Sequence, residues 1–357
     1  MSLFLFVGCD SSRSLAENQR TYRWSGETMG TYYRVTVVEN SNDDHAAVNA
    51  PSFDLDLAKQ QVERQLAAVI ASMSTYEADS EISVFNRLAP NHCLAVSQAL
   101  LDVVQQSIDI NAATAGAFNP LIGPLVERWG FGQSNAAFVY PDAAEISALL
   151  ARVDMTALSI NRQTQSLCKS ADIALDLSAI AKGYAVDLVA SQLSALGLSN
   201  YLVDIGGEVR VSGHNPQGVD WRLAIEKPVF RAGEIEQVVA LKDVAIATSG
   251  DYRNFFEYQG KRYSHTIDVR TGYPVQHSLA SVSVIARSAA EADAWATALN
   301  VMGPAEAKRL AVEQNLAVFL ITRENSHNPE LEGKTENVAR FKSVSWHSES
   351  FHPFILE

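Results

Sequence analysis

Between positions 201 and 285 the sequence offers seven strand candidates in close succession, at 201–205, 208–212, 222–226, 237–241, 245–248, 263–268 and 280–285. Each is short, rich in β-branched or aromatic residues and bounded by Gly, Pro, Asn or Asp, the pattern of strands joined by turns. Regular alternation of strand and helix, the mark of a parallel sheet, is missing, so the chain is expected to be α+β with antiparallel sheets and flanking helices. An entry strand is read at 28–38, with shorter strands at 158–160, 173–177 and 317–322. Apolar residues at helical spacing place helices at 55–73, 96–113, 179–196 and 305–314. Two further helices start at caps, Asp142 with Glu145 and Ser288 with Glu291.

Composition narrows the class. Hydrophobic content of 47% with 19% charged residues is that of a packed protein, not a disordered chain. The net charge of −13, with no basic cluster, argues against nucleic acid as a partner. Residues 1–9 are apolar and end Gly8-Cys9, which looks like the end of a bacterial lipoprotein signal, although the usual positive n-region is missing. Cys9 would then carry the lipid, and residues 10–19 would form a tether. No apolar run approaches the ~20 residues that span a bilayer, so membrane attachment is expected by anchor alone. The chain divides into a signal remnant and tether (1–20), a body (21–323) and a polar C-terminal tail (324–357). Cys93 and Cys168 are expected to be structural, and spacing does not say whether they are bonded.

Few segments carry chemistry. In Glu291-Ala-Asp-Ala-Trp-Ala-Thr297, Asp293 and Thr297 lie one helical turn apart on one face. A carboxylate and a hydroxyl are hard oxygens of the kind magnesium prefers, while an acidic first turn on a helix dipole accounts for Asp293 equally well. Gly206 and Gly207, in Asp204-Ile-Gly-Gly-Glu208, admit either close approach to a ligand or a tight hairpin. Thr248-Ser-Gly-Asp251 is open to the same two readings. Asp176 and Ser178 precede a helix start that either binds an anion or is simply capped. His265, in a strand-like run near Asp268, is a candidate general base or a structural histidine. Neither GxxxxGK[ST] nor GxGxxG is present, so a bound nucleotide needs another design.

Taken in order, these segments resemble the ApbE family, the FAD:protein FMN transferases. The resemblance rests on Met29-Gly-Thr31, Met73-Ser-Thr-Tyr76, Ala117-Phe-Asn-Pro120, Trp129-Gly-Phe-Gly132 and Asp176-Leu-Ser-Ala-Ile-Ala-Lys-Gly-Tyr184. It continues through Asp204–Glu208, Thr248–Tyr252, His265-Thr-Ile-Asp268 and Glu291–Ala298, spanning about residues 28–322. It implies a mixed α+β fold with FAD in a cleft between its subregions. By resemblance, Met29, Tyr76, Ala117, Phe118, Asn119, Asp176, Lys182 and Ile267 fall at flavin-contacting positions. Asp293 and Thr297 by side chain, with Ala179 and Ala296 through backbone carbonyls, fall at a Mg2+ site. His265 matches the histidine implicated in that family's catalysis. Many relatives carry Asp where this chain has Asn119, and some carry Asp in place of Ala296, so the site here is less negative.

The implied reaction moves FMN from FAD to a Thr or Ser hydroxyl of an acceptor protein, with AMP as leaving group. The implied partners are subunits of redox-driven ion pumps, met on the periplasmic side of a bacterial inner membrane. The rival readings are a Mg2+-dependent FAD pyrophosphatase and a lipoprotein that binds FAD without turnover.

Overall fold

Strands joined by tight turns can pair with their sequence neighbours, and an antiparallel hairpin opens the chain: β1 (Gln19–Thr28) and β2 (Thr31–Asn40), turning at Met29 and Gly30. The computed structural model describes residues 19–40, 54–133, 138–228, 234–251, 254–324 and 342–356. After the hairpin come α1 (Leu55–Met73), α2 (Glu81–Asn86), β3 (His92–Ala95), α3 (Gln98–Ala113), α4 (Gly123–Arg128), α5 (Ala143–Leu150), β4 (Leu158–Asn161), β5 (Ser166–Lys169) and α6 (Ala181–Ala195). The β-rich half holds β6 (Tyr201–Ile205), β7 (Glu208–Ser212), β8 (Trp221–Glu226), β9 (Ile235–Leu241), β10 (Ala245–Gly250), β11 (Phe255–Tyr258), β12 (Lys261–Ser264), β13 (Ile267–Asp268), β14 (Tyr273–Pro274) and β15 (Leu279–Ala286). The chain closes with α7 (Ala289–Met302), α8 (Pro304–Glu313), β16 (Ala317–Arg323) and β17 (Ser343–His347).

The main sheet runs β1-β2-β6-β7-β10-β15-β16-β17, with every neighbour pair antiparallel. Alternate residues of one strand serve opposite faces, and the core divides accordingly. Val282, Val284, Val318 and Leu320 join the large core under α1, α3, α6 and α7. Ile285, Phe319 and Ile321 join a second core closed by the β8–β9 hairpin and Phe351. A third, aromatic core around Trp129, Tyr263 and Ile267 caps the region between α4 and β13.

The sequence expectations need several corrections. The entry strand is a hairpin, because Met29 and Gly30 both turn at positive φ. Residues 173–177 form no strand: Asn86 Oδ1 accepts from Leu175 N–H, Lys169 Nζ donates to Ile173 C=O, and Asp176 N–H donates to Pro120 C=O. Those backbone groups are satisfied by side chains and a neighbouring loop, so no ladder is required. The expected strand at 263–268 breaks between β12 and β13, which pair with β11 and β14 respectively, leaving His265 outside both. Of the C-terminal tail expected at 324–357, the described residues 342–356 pack on the body. β17 pairs with β16, Ser348 Oγ donates to Leu316 C=O, and Phe351 packs on Phe319 with no exposure. Cys9 and the tether through position 18 lie outside the described residues.

Cys93 and Cys168 form a disulfide between β3 and β5. Removing the cross-link should cost about 2–4 kcal/mol. A Cys93→Ser/Cys168→Ser variant is therefore expected to unfold at lower denaturant than the oxidised protein and to match it once a reductant is added. Equal midpoints before reduction would show the bond to be energetically idle.

Helix α6 meets α7 closely at Gly183, where a Cβ would run into the carbonyl of Ala289. That backbone cannot retreat, because Asp187 on α6 accepts the N–H groups of both Ala289 and Ala290, each at 2.9 Å. Gly183→Ala should destabilise the fold by about 1–3 kcal/mol through overpacking. Thermal melts would read the loss.

Candidate functional site

A cleft of about 920 Å3 opens where the three cores meet. Its wall draws on α6, the β6–β7 turn, β8, β10, α7 and the loops around 117–133 and 254–267. Most of the residues singled out from the sequence come together there. Tyr76, Ala117, Phe118, Asn119 and Asp176 line one side, with Tyr76 70% exposed at the rim. Ala179, Lys182, Asp293 and Thr297 line the floor, and His265 and Ile267 lie opposite. Met29, in the β1–β2 turn, and Ala296, fully buried within α7, are not among the lining residues.

The loop carrying Ala117–Asn119 is pinned by its own side chains. Asn119 Nδ2 donates to Val153 C=O at 2.9 Å while its Oδ1 accepts from Leu121 N–H at 2.8 Å. Asn111 Nδ2 donates to Phe118 C=O at 2.7 Å. An Asp at position 119 could not make the donor half of this clamp, so the neutral residue has a structural use here. Asp176 caps its own turn, accepting from Ser178 N–H at 2.9 Å.

The floor is charged, with Asp293 and Glu208 buried. Asp293, 3% exposed, accepts from Gly183 N–H at 3.2 Å and faces Lys182 Nζ at 3.7 Å. Lys182 Nζ donates to Glu208 Oε1 at 2.6 Å. Burial disfavours the lysine's charge, but the Asp293 and Glu208 carboxylates outweigh it and raise its pKa above the ordinary value. Asp293 is held well above the usual carboxylate range, first by burial and also by the charge of Glu208, against the opposing pull of Lys182.

Three observations bear on whether a cation fits this floor. Gly183 N–H, in the first turn of α6 and so without an intrahelical partner, donates to Asp293. Ala179 precedes the helix, so its C=O lies outside the helix ladder. Thr297 Oγ1 lies 3.1 Å from Ser249 Oγ, and Asn300, one turn further along the face of α7, is fully buried with both side-chain polar atoms unpartnered. Among the described residues no set of three acidic, histidine or cysteine groups is placed for a metal. The donors are one carboxylate with neutral hydroxyl and carbonyl oxygens, a set that suits a hard, partly hydrated cation such as Mg2+ and not a softer metal. Ala296 C=O lies within α7, where the helical ladder already uses it.

His265 is fixed by its neighbour rather than by a strand. Its Nδ1 lies 2.9 Å from Asn254 C=O, and its own N–H donates to the same carbonyl. A carbonyl only accepts, so Nδ1 carries the proton and Nε2 is left with its lone pair. Burial lowers its pKa from 6.5, which favours the neutral ring. The sequence gives no individual role to Glu208, Asn254 or Asn300, and marks Ser249 only as part of the Thr248-Ser-Gly-Asp251 stretch. Asn300 alone carried a usable signal, since it extends the spacing of Asp293 and Thr297 by three residues.

A family model described as the ApbE family matches residues 29–320. The chain is 40% identical over 324 residues to a Klebsiella pneumoniae protein named FAD:protein FMN transferase, covering 90% of each. A Vibrio cholerae protein of the same name is 39% identical, over 90% of this chain and 92% of that one. Among solved structures, the flavin transferase ApbE from Vibrio cholerae superposes with a TM-score of 0.80 at 37% identity, over 94% of this chain and 99% of that one.

Proposed function

This chain belongs to the ApbE family, and from that premise we propose that it transfers the FMN moiety of FAD to a Thr or Ser hydroxyl of an acceptor protein, releasing AMP. The observation that carries this reading is one cleft lined by both the Asp293–Thr297 face of α7 and His265, whose Nδ1 lies 2.9 Å from Asn254 C=O. The acceptor oxygen bonds to the FMN phosphorus as the bond from that phosphorus to the AMP oxygen breaks, and the hydroxyl proton passes to His265 Nε2. Asn254 holds the ring in the accepting tautomer. Lys182, its ammonium secured by Glu208, supplies fixed positive charge beside the diphosphate. Asp293, Thr297 and Ala179 C=O are the oxygens that would hold Mg2+, which when bound neutralises charge building on the diphosphate as the linkage opens. Tyr76, Ala117, Phe118, Asn119, Asp176 and Ile267 form the flavin's walls in this reading.

Incubation with FAD, Mg2+ and candidate acceptors, followed by in-gel flavin fluorescence after denaturation, tests the proposal. Labelled acceptor is the expected result. FMN and AMP without label would turn the reading to hydrolysis, and intact FAD to storage.

A lipid on Cys9 would hold the body at the periplasmic face of the inner membrane, within reach of flavin-bearing subunits of redox-driven ion pumps. No helix of the described residues is long and apolar enough to cross a membrane. The Cys93–Cys168 disulfide supports an oxidising compartment. Mass spectrometry of the native N-terminus should find a lipidated Cys9; an unmodified Met1 would remove the anchor.

A further inference from the structure

The transferase reading requires a protein hydroxyl to enter a cleft that FAD also occupies. Leu223, Ala224, Ile225 and Glu226 of β8 line that cleft in unbroken succession. Side chains of a strand alternate between faces, so consecutive lining residues mean that the backbone edge of β8 borders the cleft.

Among the described residues the strand paired with β8 is β9, in a two-stranded sheet. On the far side of β9, Leu356 N–H donates to Val238 C=O at 3.0 Å and Val239 bridges Ile355. A Val238 carbonyl turned toward Leu356 points away from β8. The opposed pair Ala224↔Val238 is therefore a non-hydrogen-bonded one, and the N–H and C=O of Ala224 point outward from the hairpin. Among the described residues neither has a hydrogen-bond partner. A register shift between Ile225 and Glu226 ends the regular ladder beside the cleft, the position where bulges commonly re-aim a strand.

We propose that β8 docks the acceptor at Ala224: an extended segment carrying the target Thr or Ser adds as a further strand, bonded through the outward N–H and C=O of Ala224. This rests on the transferase reading. A strand needs only about 4.8 Å beside its neighbour, so an extended segment enters a cleft that a folded surface cannot. Val209 and Ile246 line the same cleft near the edge, giving apolar contact to alternate side chains of the incoming strand. The edge is continuous with the cavity that holds His265 and Asp293, so a docked segment needs no second opening to present its hydroxyl.

The test uses the full chain with FAD, Mg2+ and a library of decapeptides bearing one central Thr, read by flavin fluorescence on the peptide. Ala224→Pro removes the outward N–H and no bond to β9, a position where an edge strand tolerates proline. Its KM for a labelled peptide is expected to rise roughly tenfold, with FAD affinity and melting midpoint unchanged. Hydrogen exchange of wild-type amides 221–226 should slow on adding the peptide and not on adding FAD alone. An unchanged KM together with unchanged exchange overturns the docking site alone. Protection by FAD alone, or loss of FAD affinity in the variant, assigns the edge to the flavin and overturns it too. Protection that grows with protein concentration assigns it to a second copy. If wild type binds or cleaves FAD but labels no peptide, the transferase reading fails and the docking proposal with it.

Discussion

Replacing Asp293 with Ala is expected to lower flavin labelling of an acceptor by roughly a thousandfold or more, the scale of losing a charge-stabilising group from a buried site. Among the described residues Asp293 is the carboxylate that shares the floor with the neutral oxygens of Thr297 and Ser249, while Glu208, the other acid there, is paired with Lys182. Its loss leaves Lys182 paired to Glu208 alone and no anionic ligand for a divalent cation. The same change removes the acceptor for Gly183 N–H, so Asp293→Ala should also lose about 1–3 kcal/mol of stability. Asp293→Asn separates the effects. The amide oxygen still accepts from Gly183, so this variant should melt near the wild-type temperature while remaining as inactive as the alanine. Activity within tenfold of wild type in both variants would remove Asp293 from the chemistry.

His265→Gln should slow transfer by roughly 10²–10⁴-fold, the usual worth of a positioned general base. The pH profile gives a second reading. Burial holds the folded pKa of His265 below 6.5. Below that pKa the imidazolium cannot take a proton, so kcat/KM should rise with pH through a value under 6.5 and be level around pH 7. His265→Gln should lose this acid limb together with the rate, while FAD affinity stays close to wild type. A wild-type profile still climbing at about pH 8, or an acid limb surviving in the variant, would assign the proton to another group.

How the candidate site was legible differs by residue. Asp293 and Thr297 stood out because helical spacing alone puts them on one face. Asp142 with Glu145, read as a capping box, is one in the structure. The 19-residue α1 matches its expected bounds because its apolar repeat is long and uninterrupted. His265 was visible as chemistry but misplaced in a strand, since a short β-like run cannot show where its hydrogen-bond partners change. Residues 173–177 looked like a strand for the same reason, and Asn86 and Lys169, more than eighty residues and four residues away from their respective partners, took its place in the pairing. Position 119 looked like a loss of charge in sequence and proved to be a two-ended amide clamp.

Local periodicity, capping and turn residues thus determined the mixed fold and brought out Asp293, Thr297 and His265, because those signals act over a few positions along the chain, whereas Tyr76, Ala117, Phe118, Asn119, Lys182 and Ile267 were legible only through the resemblance to the ApbE family. The tertiary structure alone decided that Glu208 secures Lys182, that Asn254 sets the tautomer of His265, that Cys93 joins Cys168 and that β17 closes the sheet. These are pairings between distant segments, and their energies depend on burial and on which donor meets which acceptor, quantities that exist only once the chain has packed.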